Sequence, residues 1–265
     1  MELQLDHIVH FINGNPNKAI EEWEKLGFKA VMGGSHEKWG TFNSLIYNST
    51  SYIEFLAIEN EELAQNSDNP LIRQLVTDLQ REEGIGQICF RTTDILSVKN
   101  ELENKGCKTF PIFPGSRKRK DGTTIKWKML FINQESPLPL PFFIEWEQQD
   151  EDRFNELKKL GMMDQKLEKH RIQSISIACK NGEESAKEWS QLFDFPITHI
   201  ESDPESFTKK TTINCGSTEI IFCEPLDEKG IVDQTLKLRG ERPFLIQLDP
   251  QFMTKPISLF GSYYQ

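Results

Sequence analysis

Leu5-Asp6-His7-Ile8-Val9-His10-Phe11 is an extended run, and Asn15-Pro16 after it leads into an apolar stripe of Ala19, Ile20, Trp23 and Leu26 that stops at Gly27. Asn is a good helix cap, Pro suits the first turn, and Gly tolerates the left-handed conformation in which helices end. Short extended runs follow at 28–31, 43–47 and 52–58. The order is βαβββ.

The same order returns. Residues 85–91 read as a strand, Thr93 or Asp94 caps a helix with the stripe Ile95, Val98 and Leu102, and Gly106 ends it before strands at 107–111, 125–132 and 142–146. A third copy has a strand at 172–179, a helix carrying Ala186, Trp189 and Leu192, and strands at 197–200, 211–214 and 219–223. The first and third helices share Trp-x-x-Leu followed by Phe (Trp23, Leu26, Phe28; Trp189, Leu192, Phe195), and a strand at 243–248 opens a partial fourth copy. An internal repeat of this kind decides the architecture before any single residue does. Residues 70–81 form a further amphipathic helix on Leu71, Leu75 and Leu79, whereas 148–169 alternate in charge and carry little apolar content.

The expected fold class is therefore α+β, made of repeated βαβββ modules. One module buries a single face of its sheet, so two pair into a half-barrel with a central pocket. The paired modules occupy 1–147, a linker that is helical in part 148–169, and the third module with the partial fourth 170–265.

Composition narrows the function. The chain of 265 residues has a net charge of −10 and five cysteines without a CxxC pair. The acidic balance argues against nucleic acid, whose binding begins with Lys and Arg neutralising phosphates. The cysteines read as reduced thiols, and neither a signal peptide nor a membrane span is evident, so the expected compartment is the cytoplasm. The expected partner is a small molecule, and the C-terminal module offers a surface for a homodimer.

Period-2 alternation then selects pocket residues. Leu5, His7, Val9 and Phe11 share one face of the first strand. Ile53, Phe55 and Ala57 suit the helix side, leaving Glu54 inward. In the second copy Ile88 and Phe90 face the helix and Gln87 faces in, while Ile144 and Trp146 flank an inward Glu145. Carboxylates in such apolar surroundings need a partner. A divalent cation (Zn, Mn, Ni or Mg) on His7, Glu54, Gln87 and Glu145 is one reading. Hydrogen bonding to the pocket backbone or to Arg117, with no metal, is the other.

These positions, together with the repeat, resemble the vicinal-oxygen-chelate superfamily. The chain is more closely similar to its glyoxalase-like domain family, through Asp6-His7, the run from Gly33 to Asn43, Tyr52-Ile53-Glu54, Ser116-Arg117 with Asp121-Gly122, Trp127, and Pro141-Phe142-Phe143-Ile144-Glu145-Trp146. The resemblance implies metal ligands on the first and last strands of each paired module. It implies no settled reaction, and the second copy offers no histidine ligand. Ser174 and Ile221 stand at the ligand positions of the third copy, which is expected to bind no metal.

The expected substrate-binding residues are His36, Trp39, Thr41 and Asn43 in one loop, with Trp127 and the extended pair Arg117 and Arg119. These arginines clamp a carboxylate or phosphate, or else belong to a solvated loop. Two functions stay open. One is a glyoxalase-like, metal-dependent isomerase or lyase in which Glu54 and Glu145 are catalytic and the metal chelates two adjacent oxygens of a small substrate. The other is a metal-free binding or sequestering protein using the same pocket.

Overall fold

The computed structural model describes residues 1–118, 124–251 and 253–265, so Arg119 and Asp121-Gly122 lie outside the described residues. The first module consists of β1 (Gln4–Phe11), α1 (Asn17–Lys25), β2 (Val31–His36), β3 (Thr41–Tyr47) and β4 (Tyr52–Ile58). Two helices, α2 (Glu61–Gln65) and α3 (Pro70–Asp78), lead to the second: β5 (Gly84–Arg91), α4 (Ile95–Asn104), β6 (Phe113–Lys118), β7 (Thr124–Leu130) and β8 (Phe142–Trp146). The expected strand at 107–111 is instead a single bridge, Thr109 to Ile132. Pro111 has no N–H to give a ladder, and the continuous pairing of β6 starts beyond it at Phe113.

The eight strands form one sheet in the order β2-β3-β4-β1-β5-β8-β7-β6. The central strands β1 and β5 are antiparallel, with Ile8 opposite Ile88, His7 opposite Cys89 and Val9 opposite Gln87. A pseudo-two-fold axis therefore passes beside Ile8 and Ile88, making His7 and Gln87 equivalent. The register slips at Asp6 and again at Gly86, its equivalent. These slips decide the direction of neighbouring side chains. Leu5 joins the helix-side core while Val9 and Phe11 pack on the concave side. The expectation that Leu5 and His7 share a face is thus corrected by the slip between them.

After α5 (Asp150–Lys159) comes a third module of β9 (Arg171–Ala178), α6 (Gly182–Phe193), β10 (Ile197–Asp203), β11 (Thr208–Cys215) and β12 (Thr218–Pro225). Helix α7 (Gly230–Arg239), which periodicity did not reveal, precedes β13 (Pro243–Asp249), β14 (Ile257–Leu259) and β15 (Ser262–Tyr264). The second sheet runs β10-β11-β12-β9-β13-β15-β14. One continuous core joins the two sheets, bringing Trp23, Phe55, Phe90 and Phe143 together with Trp189, Phe193, Phe222 and Tyr264. Polar ties reinforce it. Arg239 donates to the carbonyl of Ile85 at 2.6 Å, Arg242 pairs with Asp78 at 2.8 Å, and His10 bonds the hydroxyl of Tyr264 and the carbonyl of Phe260. The C-terminal half packs on the first sheet within this chain. No described helix is long and apolar enough to cross a membrane.

Candidate functional site

The concave face of the first sheet encloses a cavity with about 860 Å³ of space free of protein atoms, part of it continuous with solvent. Its lining combines apolar and aromatic walls with a few polar groups, as small-ligand sites do. Alternation on β4 sends Ile53, Phe55 and Ala57 to the core and leaves Tyr52, Glu54 and Leu56 facing the cavity, as expected.

At the cavity floor lies a chain of polar groups. Asp6 is fully buried and accepts hydrogen bonds from His7 Nδ1 at 2.7 Å, Trp146 Nε1 at 3.0 Å and Arg153 Nη2 at 3.1 Å. Burial alone would raise the pKa of this carboxyl. Arg153 first, then His7 and Arg91, reverse that effect and hold it well below the usual carboxylate range. An ionised carboxylate only accepts, so Nδ1 of His7 carries the hydrogen. Its Nε2 then faces the cavity, 3.6 Å from Glu54 Oε2, and the ring stacks on Tyr52 at 4.6 Å. Glu54 Oε1 accepts from Asn43 Nδ2 at 2.5 Å.

The sheet curls until its edges meet over this floor. Arg117 on β6 lies against Gly33 and Gly34 on β2, where the missing side chains leave room for it. His36, Trp39, Asn43, Arg117 and Trp127 all line the cavity. Thr41 stands behind, with its hydroxyl 3.1 Å from His36 Nδ1. Burial, assisted by Arg117 and opposed by Glu54, lowers the His36 pKa, so this ring is neutral near pH 7.

Two predicted ligands are elsewhere. The Gln87 amide donates to Gln74 Oε1 at 2.9 Å and to the carbonyl of Leu140 at 3.2 Å, and its oxygen accepts from Ile88 N. Glu145 faces away from the cavity. It accepts from the backbone of Ile95 at the start of α4 at 2.8 Å and pairs with Lys128 at 2.5 Å. The expected convergence of Glu54 and Glu145 is therefore corrected. The cause is register: His7 pairs with Tyr52, and Cys89 with Phe142, so under the pseudo-two-fold Phe142 occupies the place equivalent to Glu54. Phe142, Ile144 and Trp146 face the cavity, leaving Phe143 and Glu145 for the helix side. In the third module the Ser174 hydroxyl donates to Gln247 at 2.8 Å.

Among the described residues, the fold assembles one metal-capable group of such side chains, Asp6, His7 and Cys89, whose ligand atoms lie within 4.8 Å of one another. Its chemistry is unfavourable. Asp6 is taken by three donors, and burial first, then Asp6 and Glu54, push the Cys89 thiol well above its ordinary pKa, away from the thiolate a metal needs.

Sequence reasoning missed Arg153, Leu157 and Met162, which reach the cavity from the segment that read as a linker. It also left Asp6 off the face shared by Leu5, His7, Val9 and Phe11, although the pair Asp6-His7 was the available signal.

The family model for the glyoxalase-like domain matches residues 5–193, well over half the chain. The chain belongs to the glyoxalase-like domain family. Its fold is of mixed α+β class with βαβββ modules. A solved structure of a hypothetical protein from Staphylococcus aureus is similar over 99% of this chain and 98% of that one, with 26% identity and a TM-score of 0.80. A mutant of 4-hydroxymandelate synthase from Streptomyces coelicolor matches 92% of this chain and 70% of its own at 12% identity and a TM-score of 0.59, a likeness of fold alone. No curated protein matches the sequence. Within the glyoxalase-like family, then, this chain carries an Asp–His–Glu array in its first module and an apolar counterpart, Phe142, in the second.

Proposed function

We propose that this glyoxalase-like chain is a small-molecule enzyme of isomerase or lyase type that works by proton transfer without a metal. The observation that carries the reading is the Asp6–His7–Glu54 array on the floor of an aromatic-walled cavity. Asp6 fixes the tautomer and orientation of His7, as a buried carboxylate does in hydrolytic triads. Nε2 of His7 then takes a proton from a substrate carbon beside a carbonyl, and Glu54 stabilises the imidazolium that results. Arg117 faces the charge left on the substrate. Neither donor set fits a divalent ion: Gln87 and Glu145 are engaged elsewhere, and Asp6 and Cys89 are unsuited.

The test is deuterium incorporation from D₂O into small carbonyl compounds, followed by proton NMR. Exchange that survives chelator treatment and is abolished by His7→Gln and Glu54→Gln supports the reading. Exchange that disappears with the chelator and returns only with Zn²⁺, Mn²⁺, Ni²⁺ or Mg²⁺ overturns it. Tight ligand binding without any exchange leaves a sequestering protein.

A further inference from the structure

We infer that the cavity's ligand is a small carboxylic acid with a flat apolar body and an O–H or N–H donor near the carboxylate, with the carboxylate on Arg117 and the donor on Asn43 Oδ1. The inference rests on the small-molecule reading of the cavity and adds the ligand's chemical class.

Charge matching leads to the first half. Arg153 is paired with Asp6 at 3.1 Å, and Glu54 accepts from Asn43 at 2.5 Å. Among the described residues Arg117 is the cavity-lining cation that no carboxylate meets. A guanidinium offers two parallel N–H groups, the geometry that grips a carboxylate. A second acidic side chain, Glu54, lines the same cavity, which favours a monoanion over a phosphate dianion.

The second half comes from an acceptor left over. Asn43 is 3% exposed, and its Oδ1 has no hydrogen-bond partner. The amide cannot turn to hide this oxygen, because Nδ2 is held by Glu54 at 2.5 Å. A buried acceptor without a donor costs stability, so a ligand donor there gains more than an ordinary hydrogen bond would. The two groups are neighbours: the place a Cβ would take at Gly33 is 2.0 Å from Asn43 Oδ1 and 2.8 Å from Arg117 Nη1, so these atoms lie within about 5 Å of each other. One small polar head therefore reaches both. Trp39, Tyr52, Trp127 and Phe142 supply the walls for a flat apolar body.

Quenching of tryptophan fluorescence in the full chain tests the assignment, because Trp39, Trp127 and Trp146 line the cavity. The probes are 3-phenyllactate, 3-phenylpropanoate, 3-phenylpropanamide and phenethyl phosphate. The expected order places 3-phenyllactate first and the amide about tenfold or more weaker than the matching acid. Arg117→Gln should collapse the acid-over-amide ratio to about one. Asn43→Leu should remove the advantage of the hydroxyl acid over 3-phenylpropanoate. An amide that binds as tightly as its acid overturns the carboxylate assignment while leaving the cavity a small-molecule site. Phenethyl phosphate binding tightest overturns it in favour of a dianion. Failure of all four probes to quench overturns both this inference and the small-molecule reading.

Discussion

Replacing Asp6 by Asn removes a charge from the most enclosed polar group of the site. Asp6 is 0% exposed and accepts from His7, Trp146 and Arg153, while Arg153 is itself only 5% exposed. The new amide keeps one acceptor oxygen but turns an NH₂ toward groups that are already donors. Arg153 is left with Asp150, whose side chain is 42% exposed and at 3.3 Å. Breaking a buried pair on one side costs about 3–5 kcal/mol, because the remaining charge loses its buried counterion. For a chain of this size that corresponds to a fall in Tm of about 6–20 °C. Arg153→Met leaves Asp6 two donors, and the double replacement removes both charges. The double variant should therefore be more stable than the sum of the two single losses implies, with a coupling of about 2 kcal/mol. Urea unfolding at pH 7 for all four proteins measures it. A loss under about 1 kcal/mol for Asp6→Asn, or additive losses, would refute the view that this pair anchors the site.

Glu145→Ala should cost about 1–2 kcal/mol in urea unfolding, since it removes the acceptor at the first amide of α4, and should leave probe quenching unchanged. Its pair with Lys128 adds little, that lysine being about half exposed. Gly33→Ala should lower stability by about 1–3 kcal/mol and abolish probe binding, because the new Cβ meets Asn43 and Arg117; unaltered titration curves would contradict this. Burial depresses the pKa of His10 to about 3. The unfolded chain therefore binds a proton that the folded chain refuses. Stability falls with decreasing pH below about 6.5, by up to about 1.4 kcal/mol per unit. His10→Gln should flatten that slope in thermal melts between pH 6.5 and 4, and an unchanged slope would rule His10 out as its source.

Local pattern was enough to place most elements. The Trp-x-x-Leu stripes of α1 and α6 put Trp23 and Trp189 into the core, and the alternation of β4 turned Glu54 inward. Such signals survive in one sequence because helix and strand periods depend only on near neighbours along the chain. The residues that define the site were legible only where no strand slipped. A one-residue slip at Asp6 brought that carboxylate onto His7 and sent Leu5 to the opposite face. Pairing register across the sheet set Phe142, not Glu145, at the place equivalent to Glu54. Arg153 came from a charged segment with no apolar stripe to mark it, and its role appears once α5 is folded over Asp6. The contact of Arg117 with Gly33 joins two strands at opposite edges of the sheet. Helix stripes and strand alternation are properties of the chain taken a few residues at a time. Side-chain direction beside a slip, and the partner of a buried charge, depend on which distant strand lies alongside, and only the tertiary structure decides that.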